Sequence, residues 1–168
     1  SLDYGMFGTV YHDTMRALYT SEEAMGPEFL FNDREPRGGL KGEALKDVSQ
    51  SYIEGWLSRK EDIKAKVKAL IMMQLNTIEV SGRNLVVADV IVRYIIKTLQ
   101  RDLELLKKEG RDSFEILGRE IRVAGEFCGQ RFKGFIDRLD SFKDEQARVV
   151  DYKTGKVLED DENIHDGN

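Results

Sequence analysis

Two stretches decide the fold: Gly134-Phe135-Ile136-Asp137-Arg138-Leu139-Asp140 and Val149-Val150-Asp151-Tyr152-Lys153-Thr154-Gly155. Between them lies the polar run Lys143-Asp144-Glu145-Gln146, where a turn is expected. Folding the chain about Asp144 sets Asp137 opposite Asp151, with Cβ atoms ~5 Å apart. Two like charges opposed on a sheet repel unless a cation lies between them. Lys153 is two residues beyond Asp151 and projects from the same face, whereas Val150 and Tyr152 alternate onto the other, where they can pack under helices. The predicted face presents two carboxylates and one ammonium. Hard carboxylate oxygens suit Mg²⁺ or Mn²⁺, and a lysine beside them can orient a nucleophile and stabilise charge on phosphate oxygens. A plain Asp–Lys salt bridge on an exposed face is the competing reading of the same spacing.

Upstream, residues 113–123 and 127–139 are rich in β-branched and aromatic residues and are separated by Ala124-Gly125-Glu126. With 147–153 they read as three strands of an antiparallel meander. Before them the pattern is helical. The clearest helix spans about Asn84 to Lys108, where Ala88, Val92, Ile95, Leu99, Leu103 and Leu106 make one apolar stripe. Arg93, Lys97 and Arg101 recur every four residues as a separate basic stripe, either a solvated face or a phosphate-contacting one. Gly110 is placed to end this helix. Further helices are expected over 7–20, 43–58 and 60–75. Residues 21–42 hold Pro27, Pro36 and Gly38-Gly39 and read mostly as loop. The fold class is therefore α/β: helices first, then a three-stranded meander. We expect one domain over 1–168, mainly helical over 1–110, with the site-bearing meander over 111–157 and an acidic loop or end over 158–168.

Composition excludes more than it identifies. The chain has 168 residues, 40% hydrophobic and 34% charged, which suits one globular domain with a real core. Cys128 is the only cysteine, so neither an internal disulfide nor a four-cysteine zinc or iron–sulfur site can form within this chain. Cys128 itself reads as a small buried or half-buried residue of a strand. No stretch is long and apolar enough to span a bilayer and no N-terminal signal pattern is visible, so no membrane partner is expected. The net charge of −5 argues weakly against a nucleic-acid partner. That excess lies wholly in 158–168, where Glu159, Asp160, Asp161, Glu162 and Asp166 stand without a lysine or arginine. The opening Ser1 and the stop soon after the third strand both lead us to expect a cut chain.

The two stretches resemble the signature of RecB-like, AddB-type nuclease domains of the PD-(D/E)XK superfamily: a Gly-x-Ile-Asp strand, then a strand ending Asp-Tyr-Lys-Thr-Gly. Gly8-Thr9-Val10-Tyr11-His12 is similar to the Gly-x-x-x-His element of that family's upstream helix. The resemblance runs from His12 to Gly155. It implies a restriction-endonuclease-like core, with an inserted helical region, acting as a Mg²⁺- or Mn²⁺-dependent deoxyribonuclease. Asp137 and Asp151 would ligate the metal, with the Tyr152 backbone carbonyl and His12 as further ligands, and Lys153 would be the catalytic lysine. Glu120 matches a glutamate seen near such sites, with Glu115 and Glu126 open as alternatives. Arg138 and Asp140 would belong to the hairpin end, and Lys156 would lie past the Thr-Gly turn.

The implied substrate is single-stranded DNA fed by a helicase-like domain or subunit. The implied role is that of a cytoplasmic exonuclease in DNA repair and recombination, and Arg93, Lys97 and Arg101 could contact phosphates. The family's Gln-x-x-x-Tyr helix is absent before Asn168, so we expect truncation at the C-terminus and weak or no cleavage by these residues alone. A nuclease-like fold that binds DNA without cutting it is the alternative, and a helical interaction domain with an incidental Asp-Tyr-Lys a blander one.

Overall fold

The computed structural model describes residues 3–20, 44–144 and 146–153. The expected loop at 21–42, Thr154-Gly155, Lys156 and the acidic run at 158–168 lie outside the described residues. In order come α1 (Tyr4–Leu18), β1 (Val48–Ser49), α2 (Gln50–Leu57), α3 (Lys60–Leu75), α4 (Arg83–Lys108), β2 (Ser113–Phe127), β3 (Gln130–Ser141) and β4 (Ala147–Val150). The result is a mixed architecture of helices and an antiparallel sheet in the order β1-β2-β3-β4.

Helix ends follow local chemistry. Asp3 caps α1 by accepting the Met6 N–H at 2.9 Å. At the end of α4, Arg111 N donates to Leu106 O and Gly110 N to Lys107 O, with Gly110 at φ 63°. This is the double closure that a left-handed glycine permits. The expected helix at 43–58 begins only at Gln50. Val48 and Ser49 pair instead with Phe114 and Ser113, and the Ser49 hydroxyl accepts the Tyr52 N–H, capping α2. The sheet therefore has four strands among the described residues rather than three.

The helical stripes close over the sheet. Phe7, Val10, Met15 and Leu18 of α1, Ile63, Val67 and Ile71 of α3, and Ala88, Ile91, Ile95, Leu99 and Leu106 of α4 are buried together with Phe114 and Ile116 of β2. Burial of these side chains, at roughly 25 cal/mol per Å² of apolar surface, is the main force holding the helices to the sheet.

The β3–β4 ladder pairs Arg138 with Val150, Leu139 with Val149 and Asp140 with Arg148. That register is centred on Asp144, as the turn chemistry requires. β4 ends at Val150, so Asp151–Lys153 continue past the ladder rather than within a strand running to 153. The β2–β3 hairpin is longer than its sequence indicates. Ala124, Gly125 and Glu126 are not its turn: they pair with Lys133, Phe132 and Arg131. The reversal lies at Cys128-Gly129, both at positive φ (52° and 78°), the geometry whose twist matches two antiparallel strands. Cys128 is consequently exposed, not buried in a strand. Gly125 admits the Phe132 ring, because an added Cβ would lie 2.6 Å from its Cζ. The outer half of this hairpin, from Arg122 to Phe135, is largely exposed.

Candidate active site

Asp137 sits on β3 one residue before the buried Arg138. Its Oδ2 accepts the backbone N–H of Tyr152 at 2.7 Å, which fastens the segment after β4 to β3. His12 reaches the same point from α1. Its Nδ1 is 3.6 Å from Asp137 Oδ1, and its Nε2 is 3.1 Å from the Tyr152 carbonyl oxygen. The Tyr11 and Tyr152 rings flank the imidazole at centroid distances of 5.7 and 5.5 Å. Residues 12, 137 and 152 are thus joined by direct contacts.

Asp151 lies where the β3–β4 register, continued by one pair, would oppose it to Asp137. Lys153 Nζ stands 3.8 Å from Asp151 Oδ2, and the two side chains are 60% and 42% exposed. Of the three glutamates left open by the sequence, Glu120 is the one placed here. It stands between the pairs Arg119–Arg138 and Ile121–Ile136, directly across from Asp137, at φ 53°. Its carboxylate is held by Arg16 of α1 at 2.9 Å. Glu115 pairs with Ser141 and Glu126 with Arg131 near the turn, both away from this point.

The electrostatics single out Asp137. Burial pushes its carboxyl above the ordinary value, the His12 and Tyr152 N–H contacts pull it back, and the nearby Asp151 and Glu120 charges raise it again. A cation here would relieve that crowding. Imidazole nitrogen, carboxylate oxygen and a backbone carbonyl are donors suited to Mg²⁺ or Mn²⁺, so the set fits in chemical type. As placed, no three or more His, Cys, Asp or Glu among the described residues gather closely enough to hold an ion. Asp151 is turned to Lys153 and Glu120 to Arg16. The site opens into a cleft of about 710 Å³ whose walls include His12, Asp137, Arg122, Lys133 and Phe135.

Behind the site lies an ion network that sequence reading missed. Arg138 is 1% exposed, not a hairpin-end residue. It donates to both carboxylate oxygens of Asp102 (3.1 and 3.0 Å) and both of Asp140 (2.8 and 2.9 Å), and to the Tyr152 hydroxyl at 2.9 Å. Arg148 bridges the same two aspartates, and the Tyr19 hydroxyl donates to Asp102 at 2.7 Å. Asp102 carried a faint signal, an acid within the apolar stripe of α4. The basic stripe is split by the fold: Arg93 is exposed, while Lys97 and Arg101 are half-buried.

The PD-(D/E)XK nuclease superfamily model matches residues 2–167. The chain belongs to the PD-(D/E)XK nuclease superfamily. No curated protein and no solved structure matches it. Members of the superfamily are nucleases that generally use divalent metals, with DNA as the implied substrate. Mixed helices over an antiparallel sheet are consistent with the superfamily's restriction-endonuclease-like core. No helix among the described residues is long and apolar enough to cross a membrane.

Proposed function

We propose that this PD-(D/E)XK domain is a Mg²⁺- or Mn²⁺-dependent deoxyribonuclease of the RecB-like, AddB type. It hydrolyses phosphodiester bonds as a cytoplasmic exonuclease working with a helicase-like domain or subunit in DNA repair and recombination. The observation that carries this reading is the junction of His12, Asp137 and Tyr152, with Glu120 across from Asp137 and the Asp151–Lys153 pair one step beyond. Asp137, Asp151, His12 and the Tyr152 carbonyl would hold the cation. Such a cation, when bound, supplies Lewis acidity and a nucleophile at neutral pH.

The protein's own groups do the rest. The Asp137–Tyr152 hydrogen bond holds the post-β4 segment so that Asp151 and Lys153 emerge beside β3. Lys153, freed from Asp151 when that carboxylate turns inward, can orient a water and stabilise the negative charge developing on the phosphate. Glu120, pinned by Arg16, keeps a second acid across from Asp137. Arg93, Lys97 and Arg101 remain proposed phosphate contacts of α4.

The test is digestion of labelled single-stranded DNA with Mg²⁺, Mn²⁺ or EDTA. Cleavage that needs metal and is lost in Asp137→Ala, Asp151→Ala and Lys153→Ala supports the reading, and cleavage untouched by these changes refutes it. The engagement of Asp151 by Lys153 and of Glu120 by Arg16 favours a second reading, a DNA-binding module that does not cut. Mn²⁺ titration separates the two: a site abolished by Asp137→Ala supports the nuclease, and no metal affinity supports the binder.

A further inference from the structure

We infer that the outer half of the β2–β3 hairpin is a track for a single nucleic-acid strand leading into the site, with Arg122 and Lys133 holding its phosphates and Phe135 stacking on a base. The inference rests on the nuclease reading for what happens at the end of the track, but not for the binding itself.

Along β3, residues 131, 133, 135 and 137 fall on one face, because side chains alternate with a period of two. That face carries Arg131, Lys133, Phe135 and then Asp137. Across the ladder, Arg122 pairs with Phe135 and Ala124 with Lys133, so one basic side chain from β2 joins two from β3. Arg122, Lys133 and Phe135 line the same 710 Å³ cleft as His12 and Asp137. The charged face is thus continuous with the candidate active site.

Three features make this face unlike an ordinary solvated one. Arg122 and Lys133 have no ion-pair or hydrogen-bond partner among the described residues, although nearly every other arginine of β2–β4 is paired. Phe135 is 44% exposed directly beside Arg122. Ala124, opposite Lys133, is small and leaves the ladder open at that level. Farther out, Glu126 opposes Arg131 and offsets it, so the positive potential concentrates at Arg122 and Lys133. With a rise of ~3.4 Å per residue, Phe135 and Lys133 lie ~7 and ~14 Å along the strand from Asp137. A basic groove with an exposed aromatic ring is the chemistry that holds single strands without reading their sequence: cations take the backbone and rings take the bases. A duplex would keep its bases stacked on each other and leave Phe135 without a partner.

The test measures fluorescence anisotropy of a labelled 20-nucleotide oligothymidylate with the full chain in EDTA, where no cleavage occurs. Arg122→Gln/Lys133→Gln should weaken binding by about ten-fold or more and reduce the slope of log K against log salt by ~1.4, the loss of two single-strand phosphate contacts. Phe135→Ala should weaken it at least five-fold, within the range for one stacked base. Lys107→Gln/Lys108→Gln, which removes the same charge from the end of α4, should leave binding within two-fold. A duplex of the same length should bind more weakly and be insensitive to Phe135→Ala.

Unchanged affinity and salt slope in the Arg122/Lys133 variant, no binding by the wild type, or a duplex bound as tightly with the same Phe135 dependence would each overturn the inference. Cleavage with Mn²⁺ is read separately on the same preparations. A chain that binds through Arg122, Lys133 and Phe135 but shows no Mn²⁺ site abolished by Asp137→Ala upholds the track and removes the nuclease reading. A chain that cuts through Asp137 but binds independently of the hairpin does the reverse.

Discussion

Asp137 and Tyr152 are joined by a hydrogen bond of 2.7 Å from the Tyr152 backbone N–H to Asp137 Oδ2, fifteen residues apart along the chain. This bond carries the β3–β4 register one step past the ladder's last pair. It also turns the Tyr152 carbonyl toward His12. Asp137 thus has two proposed jobs, as a ligand and as the clamp of the segment that bears Asp151 and Lys153.

Separating these jobs gives the first prediction. Asp137→Asn keeps an oxygen for the Tyr152 N–H but loses the negative charge, so metal-dependent cleavage should fall by more than ~100-fold, beyond the usual loss from a supporting contact. Circular dichroism should remain that of the wild type. Lys153→Met should lower turnover by ~10²–10³, the cost of removing one charge-stabilising donor, with little change in melting temperature. Lys153 makes an exposed ion pair with Asp151 at 3.8 Å. A melting temperature that collapses in Lys153→Met would contradict an exposed, functional role.

The buried network predicts a different pattern. Asp102→Ala leaves Arg138 and Arg148 short of a carboxylate in the core and should cost ~3–5 kcal/mol of unfolding free energy. Tyr19→Phe removes one donor to that carboxylate and should cost ~1–2 kcal/mol. Urea unfolding midpoints measure both. An Asp102→Ala chain as stable as the wild type would mean that the network is not closed in solution.

Acid should act on the two aspartates in opposite senses. Burial alone would raise the Asp102 carboxyl, but Arg138 and Arg148 outweigh it and hold the group below the ordinary value of 3.8. Its stabilising contribution is therefore complete above that value and lost as pH falls through the lowered one. Asp137 is raised, chiefly by burial. The fold prefers its protonated form, and that preference is lost as pH climbs through the raised value. Without metal, Asp137→Asn should accordingly be more stable than the wild type at pH 7, with the gap narrowing toward pH 3. Urea titrations at the two pH values decide it, and a gap that widens in acid would refute the sign.

The hairpin tip offers a test of its turn. Cys128 at φ 52° and Gly129 at φ 78° occupy the positions where Asn-Gly is preferred. Cys128→Asn should raise stability by ~0.5 kcal/mol, since asparagine tolerates the left-handed region better. A thermal melt under reducing conditions reads it.

Features that depend on neighbours in the chain follow from local composition and spacing alone. Apolar spacing produces α3 at Lys60–Leu75 and α4 at Arg83–Lys108, because a stripe at intervals of three and four can be buried only as a helix. The polar run around Asp144 sets the β3–β4 register, and with it the approach of Asp137 to Asp151. The outcome elsewhere turned on partners distant in sequence. Nothing local distinguishes Glu120 from Glu115 or Glu126. Arg16, 104 residues away, and the strand opposite select it. The charge of Arg138 reads as surface until Asp102 arrives from α4, 36 positions earlier, to neutralise it in the core. Ala124-Gly125-Glu126 looks like a turn, yet Gly125 serves to seat the Phe132 ring and pairing continues to Phe127. Periodicity and turn chemistry act through adjacent bonds and are legible in one dimension. Charge compensation and ring packing act through space, and only the tertiary structure assigns them.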